Sequence, residues 1–208
     1  MGQNVTIIDY GSGNLRSISN SFSKINIKSN ITKDPDAIAN AKYLVLPGVG
    51  AYGQAMKNIE VYKKLIIEHI EEGKPFLGIC LGLQILLTKS EESPNVKGLN
   101  IFKGEVKKLP KESHLKIPHM GWNRLDRTSY ENKKRNSILD GIDKNYFYYV
   151  HSYYASPEEK EVVAGTTEYG HNITAVLHEN NVFATQFHPE KSGVWGLKML
   201  KNFVRINI

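Results

Sequence analysis

Apolar residues follow two different patterns along this chain, and the change comes near its midpoint. In the first half, short apolar runs alternate with stretches of helical spacing. Val5 to Asp9 reads as a buried strand, and Leu15, Ile18, Phe22 and Ile25 then fall on one face of a helix. Ser12, Gly13 and Asn14 suit the intervening turn and the helix N-terminus, with Asn14 a candidate cap. Tyr43 to Leu46 is a second strand, closed by Pro47-Gly48. Tyr62, Leu65, Ile66, His69 and Ile70 make another helical face, ended by Gly73-Lys74-Pro75. Phe76 to Ile79 is a further strand, and Leu83, Leu86 and Leu87 predict a helix directly after it. Strands alternating with helices predict a parallel sheet covered on both faces.

The second half changes character. Ile101 to Leu109, Tyr146 to His151, Val162 to Thr167, Ile173 to Leu177 and Val182 to Phe187 read as strands joined by turns. Leu197, Leu200, Phe203 and Val204 then form a closing helix. Lys111 to Lys144 shows no clear period and is expected to be loop-rich. The expected architecture is α/β, one domain over residues 1–208, with a largely parallel sheet and extra antiparallel strands in the C-terminal half.

Composition narrows the function classes. Hydrophobic residues make up 40% and charged residues 23% of the chain, a balance that argues against disorder. No segment is long and apolar enough to span a bilayer, and the start lacks the core of a signal peptide, so a cytoplasmic protein is expected. Gly2 and Thr6 match an N-myristoylation pattern, but Val5 begins an apolar strand there, and the match is read as accidental. The net charge of +6 raises nucleic-acid binding as a class, with Lys133, Lys134 and Arg135 the densest basic cluster. The other basic residues are interspersed with acids and show no aromatic-flanked stripe, which favours a solvated surface without nucleic acid or membrane contact.

The candidate chemistry centres on the one cysteine of the chain. A single Cys excludes an internal disulfide framework, and buried free Cys commonly behaves as a small hydrophobe. Cys80, however, stands in Gly78-Ile79-Cys80-Leu81-Gly82, a G-x-C-x-G sequence where a strand ends and a helix is expected. This is the thiol form of a nucleophile elbow, in which flanking glycines leave room for a strained turn. The N-terminus of the following helix would then favour the anionic sulfur. Among seven histidines, His188 is placed to serve as base, since the strand ending at Phe187 presents it at an edge. Glu190 follows across Pro189 and is placed to accept one ring N–H, fixing the tautomer. The Leu81 amide and the Pro47-Gly48-Val49-Gly50 turn, through Val49 and Gly50, are candidate oxyanion donors. The Cys and His residues show no metal-ligand spacing, and no cofactor or metal is expected.

PGVG, GICLGLQ and QFHPEKS, in this order, resemble the triad (class I) glutamine amidotransferases. IIDYGSGNLRS and PHMGWN sharpen the resemblance to their glutaminase subunits of imidazole glycerol phosphate synthases, and together the segments span nearly the whole chain. The resemblance implies the amidotransferase fold and hydrolysis of glutamine to glutamate and ammonia through a Cys80 thioester, with His188 and Glu190 completing the triad. It further implies that Gly50, Gln84, Ser152 and Tyr153 hold glutamine. It also implies a heterodimer with a (β/α)8-barrel cyclase subunit, which uses the ammonia to make imidazole glycerol phosphate and an aminoimidazole carboxamide ribotide. Asn14, Met120, Trp122 and Lys191 would face that subunit, with core burial the alternative for Trp122. A related use of the same chemistry in building amidino groups of surface glycans, and a stand-alone cysteine hydrolase, remain open at this level.

Overall fold

Apolar runs become the central strands of one sheet because both of its faces are covered by helices. The computed structural model describes residues 4–111, 115–131 and 137–206. Gly2, His114 and the Lys133-Lys134-Arg135 cluster lie outside the described residues. The first half runs β1 (Asn4–Ile8), α1 (Leu15–Lys24), β2 (Lys28–Thr32), α2 (Pro35–Ala39), β3 (Tyr43–Leu46), α3 (Tyr52–Ile59), α4 (Lys63–Glu71) and β4 (Phe76–Ile79). A one-turn helix, α5 (Leu81–Gln84), leads to β5 (Lys89–Ser90) and β6 (Gly104–Lys108). Next come β7 (His119–Arg124), β8 (Asp126–Arg127), β9 (Tyr146–His151) and β10 (Tyr153–Pro157). The chain closes with β11 (Val163–Tyr169), β12 (His171–Glu179), β13 (Val182–Thr185) and α6 (Gly193–Phe203).

The main sheet has eight strands in the order β2-β1-β3-β4-β13-β12-β11-β8. β2, β1, β3, β4 and β13 are mutually parallel, whereas β12, β11 and β8 continue the sheet antiparallel. Two small sheets, β10-β6-β5 and β7-β9, stand beside it. This mixed α/β architecture agrees with the expectation of a parallel half followed by antiparallel strands.

Successive strand residues point to opposite faces, so each central strand feeds two cores. Tyr43 and Val45 of β3, with Val5 and Ile7 of β1, pack under α1 and α6 through Ile18, Phe22, Met199, Leu200 and Phe203. Leu44 and Leu46, with Ile8 and Phe76, pack on the other face under Ile59 of α3 and Ile66 of α4. β4 lies between β3 and β13, with Leu46 beside Gly78 and Thr185 beside Ile79. The turn after β3, Cys80 after β4 and His188 after β13 are therefore brought to one edge of the sheet, where parallel α/β folds place their ligands.

Several expectations need correction. The helix predicted from Leu83, Leu86 and Leu87 stops after one turn. The carbonyls of Ile85, Leu86 and Leu87 instead accept from the amides of Leu99, Ile101 and Asn100, and that pairing with a neighbouring segment ends the helical ladder. Of Ile101 to Leu109, only Gly104–Lys108 is strand. The segment expected to be loop-rich contains β7, paired along its whole length with β9 from His119–His151 to Arg124–Tyr146.

Phe203 is fully buried, edge-on to Tyr43 at 5.7 Å and to Phe183 at 6.3 Å. Phe203→Ala is expected to lower the unfolding free energy by about 3–5 kcal/mol. Val61→Ala, at a position 74% exposed, should stay within about 0.5 kcal/mol. Urea denaturation of both variants checks this, and equal midpoints would contradict the assignment of α6 to the core.

Candidate active site

Cys80 is held in a conformation that L-residues rarely adopt, with φ 55° and ψ −105°. Its N–H donates to the Thr185 carbonyl at 2.7 Å, tying the turn to β13. The flanking glycines are sterically required, as the G-x-C-x-G pattern implies. A Cβ on Gly82 would fall 2.0 Å from the Leu46 carbonyl oxygen, and one on Gly78 would fall 2.8 Å from that of Gly82. No ordinary side chain tolerates such distances. Because α5 has only four residues, the helix-dipole contribution expected at the sulfur is reduced to that of a single turn.

The sulfur lies at a cavity of about 310 Å³, lined by Val49, Gly50, Cys80, Leu81, Gln84, Glu92, Val150, His151, Ser152, Tyr153 and His188. That volume suits a ligand the size of an amino acid. Every residue expected to act as nucleophile, base, oxyanion donor or substrate holder is on this wall; Glu190 stands behind it. Glu92 was not anticipated from the sequence, where it is one acid in a polar loop. Its Oε2 accepts the Tyr52 N–H at 3.0 Å, and it is the one carboxylate among the lining residues, suited to an ammonium group.

His188 is almost fully buried, with its N–H on the Tyr148 carbonyl at 2.9 Å. Its Nδ1 lies 2.8 Å from Glu190 Oε1, so Nδ1 carries a proton and Nε2 is left toward the cavity. Among the described residues Nε2 has no hydrogen-bond partner. Burial pulls the imidazole pKa down, but the neighbouring Cys80 sulfur and the Glu190 carboxylate outweigh it and raise it to about 10. Gln186, two residues before, reaches the sulfur with Nε2 at 3.7 Å and accepts from Gln84 Nε2 at 3.2 Å. It too went unidentified by sequence reasoning, although its full burial in an apolar strand end is the physical signature of a satisfied polar role.

Two of the candidate oxyanion amides, those of Leu81 and Val49, already have partners. Leu81 N–H meets the Gly48 carbonyl at 3.4 Å. Val49 N–H donates to Ser12 Oγ at 3.3 Å, and the Ser12 hydroxyl donates back to the Val49 carbonyl. Gly50 adopts φ 103° with open space around its Cα. Beneath the turn, buried Tyr10 donates to the Pro47 carbonyl at 2.8 Å, and burial raises its pKa to about 12.

The residues expected at a partner face divide as follows. Asn14 is the N-cap residue of α1 by position but makes no capping hydrogen bond; its Nδ2 instead reaches Glu190 Oε1 at 3.5 Å, which corrects the capping expectation. Trp122 is 56% and Met120 63% exposed, so the core-burial alternative for Trp122 fails. Trp122 stands edge-on to Tyr148 at 6.1 Å, and Lys191 Nζ lies 5.8 Å from the same ring.

A family model described as "Glutamine amidotransferase class-I" matches residues 6–206. The chain is 50% identical over 202 residues to a protein named "Imidazole glycerol phosphate synthase subunit HisH" from Methanothermobacter thermautotrophicus, covering 97% of this chain and 98% of that one. A second relative, "Imidazole glycerol phosphate synthase subunit HisH 1" from Methanococcus maripaludis, is 48% identical, covering 97% and 99%. Among solved structures, that of PurLQS from Thermotoga maritima superposes with a TM-score of 0.74 at 18% identity, covering 99% of each chain. At that identity the likeness speaks to the fold alone.

The raised His188 pKa has a consequence for stability. Its folded value of about 10 exceeds the ordinary 6.5, so the interaction contributes fully below pH 6.5 and is lost as pH rises toward 10. The unfolding free energy is expected to fall more steeply across that window in the native chain than in His188→Gln. Equal slopes in denaturant titrations at several pH values would contradict the pairing.

Proposed function

The chain belongs to the class I glutamine amidotransferases, and from that premise we propose that it is the glutaminase subunit of an imidazole glycerol phosphate synthase, supplying ammonia for histidine biosynthesis. The observation that carries this reading is the placement of Cys80 and His188 on one cavity wall with Glu190 behind the ring, which leaves Nε2 to the sulfur side. The identity of 42–50% to relatives bearing that subunit name supports the pathway.

Cys80 Sγ attacks the side-chain amide carbon of glutamine, and the carbonyl oxygen becomes an oxyanion. His188, which takes the Cys80 thiol proton on Nε2, delivers it to the departing nitrogen, and ammonia leaves a γ-glutamyl thioester. His188 then takes a proton from the water that attacks the thioester carbon and returns it to the departing sulfur, which releases glutamate and restores the thiol. Glu190 holds the ring orientation and stabilises its positive charge throughout. Glu92 and the Ser152-Tyr153 strand end suit the α-ammonium and α-carboxylate of the substrate, with Gly50 and Gln84 shaping the same wall.

The oxyanion requires donors that the resting turn withholds. Rotation of the Gly48–Val49 peptide withdraws the Gly48 carbonyl from Leu81 N–H and swings Val49 N–H from Ser12 into the cavity. Two amides then face the developing charge, with the turn pivoting at the Cα atoms of Gly48 and Val49. We assign control of this rotation to a (β/α)8-barrel cyclase subunit that forms a heterodimer with this chain. It docks over Met120, Trp122, Lys191 and the neighbourhood of Asn14, and receives the ammonia directly. No helix among the described residues is long and apolar enough to cross a membrane, and we place the complex in the cytoplasm.

Glutamate release by the chain mixed with such a cyclase and its ribonucleotide substrate, accompanied by imidazole glycerol phosphate, is the expected result. Cys80→Ala should abolish it. Release without any effect of the cyclase would contradict the assigned partner. Val49→Pro removes the mobile amide proton, so cyclase stimulation should drop about 10²-fold or more with complex formation unchanged by titration calorimetry. Undiminished stimulation would exclude the Val49 amide as donor.

A further inference from the structure

β7 turns His119 inward and its large apolar residues outward. His119 is buried, whereas its neighbours Met120 and Trp122 are exposed. The His119 imidazole lies between two tyrosine rings, 3.9 Å from the centroid of Tyr169 and 4.9 Å from that of Tyr149, near-parallel to both. Its Nδ1 is 3.1 Å from Nε2 of His151, a residue of the cavity wall. His151 Nδ1 is in turn 2.9 Å from the Tyr153 carbonyl oxygen. The second ligand of that oxygen is Gln84 Nε2 at 2.9 Å. None of the steps assigned to Cys80, His188 and Glu190 uses this pair of histidines.

The proton inventory admits one arrangement. A carbonyl oxygen only accepts, so His151 Nδ1 carries the hydrogen and, in the neutral ring, Nε2 is bare. His119 Nδ1 must then donate to it, leaving His119 Nε2 as an acceptor toward the Asn123 amide nitrogen at 3.5 Å. That amide also donates to the Glu168 carbonyl at 2.7 Å. Burial keeps both rings neutral, lowering the His119 pKa to about 4; for His151, burial and the adjoining His119 ring lower it to about 3. A proton on His151 Nε2 would confront the His119 N–H. Inverting the His119 tautomer to avoid this would aim its Nε2–H at the Asn123 donor. The chain of donors therefore runs in one direction, from Asn123 through His119 and His151 to the Tyr153 carbonyl.

We infer that His119 and His151 are positioning residues, a one-directional hydrogen-bond relay that sets the Tyr153 carbonyl and with it the glutamine-holding Ser152-Tyr153 turn. The inference rests on the proposed glutaminase reading, which makes that turn the substrate site. Without the His119 donor, His151 Nε2 becomes an unpaired buried acceptor, and the ring no longer has a reason to keep its proton on Nδ1. The Tyr153 carbonyl then hangs on Gln84 alone, and the effect falls on substrate binding, since neither histidine reaches the sulfur.

Two substitutions separate this role from a packing role. His119→Phe keeps a flat ring between the tyrosines and removes the donor, whereas His119→Asn places an amide N–H near the position of Nδ1. In the complex with the cyclase, His119→Phe is expected to raise KM for glutamine about tenfold while kcat changes less than about threefold. His119→Asn should bring KM back to within about threefold of the native value. An unchanged KM in His119→Phe, or equal KM changes in both variants, overturns the inference. Nitrogen-15 NMR of the native chain supplies a readout independent of turnover and of variant folding. His151 protonated at Nδ1 and bare at Nε2 is expected, and the opposite tautomer overturns the relay. If the native complex releases no glutamate while His151 shows the expected tautomer, the relay stands as a hydrogen-bond chain and the glutaminase reading, with the assigned role in substrate binding, falls.

Discussion

The close approach of Gly82 to the Leu46 carbonyl is the constraint on which the site depends. A gap that no side chain can enter lets the chain turn sharply out of β4, and the turn holds Cys80 at positive φ. This geometry costs on the order of 1–3 kcal/mol and persists only where the surroundings enforce it. Here β3 and β13 flank β4 on both sides, and a hydrophobic core lies on each face of the sheet. The strained residue is thus supported by paired central strands packed on both faces, and the sulfur is delivered to the edge where His188 emerges from the neighbouring strand.

From that fixed point the site divides into a finished half and an unfinished half. The His188–Glu190 pair is buried and hydrogen-bonded, so the groups proposed to handle protons are in place at rest. The proposed oxyanion donors are not, because the Gly48 carbonyl and the Ser12 hydroxyl occupy the two amides that would serve. Both blocking contacts are long, at 3.4 and 3.3 Å, and the turn that carries them reaches the surface at Val49 and at Gly50, which has φ 103°. A weakly held peptide beside a rigid nucleophile is an arrangement that a docking partner can reset without disturbing the core.

Much of this was legible in the sequence, for reasons that differ by residue. The central strands announced themselves because burial on both faces demands continuous apolar runs, as in Tyr43–Leu46 and Phe76–Ile79. The elbow was legible because its steric requirement is written in two glycines, and the His188–Glu190 pair because only Pro189 separates them. β7 was hidden because its pattern is inverted: His119 faces inward to meet His151, while Met120 and Trp122 face out. β2 was hidden because an edge strand, Lys28–Thr32, has no fully buried position. The helix after Cys80 misled because Leu83, Leu86 and Leu87 have helical spacing, yet their neighbourhood is apolar on every side and a second segment captures their carbonyls. Gln186, Glu92 and Ser12 act through partners distant in the chain, which no local pattern reveals.

The central claim is that the partner completes an oxyanion site around a nucleophile that is already assembled. Alkylation of Cys80 by iodoacetamide needs the sulfur but no oxyanion donor, whereas hydrolysis of glutamine needs both. The measurement is therefore the pair of rates for the chain alone and in complex with the cyclase and its ribonucleotide. The account predicts that hydrolysis rises about 10²–10³-fold while the alkylation rate stays within about twofold. A parallel rise in both rates would show that the partner assembles the nucleophile itself, and would contradict the account.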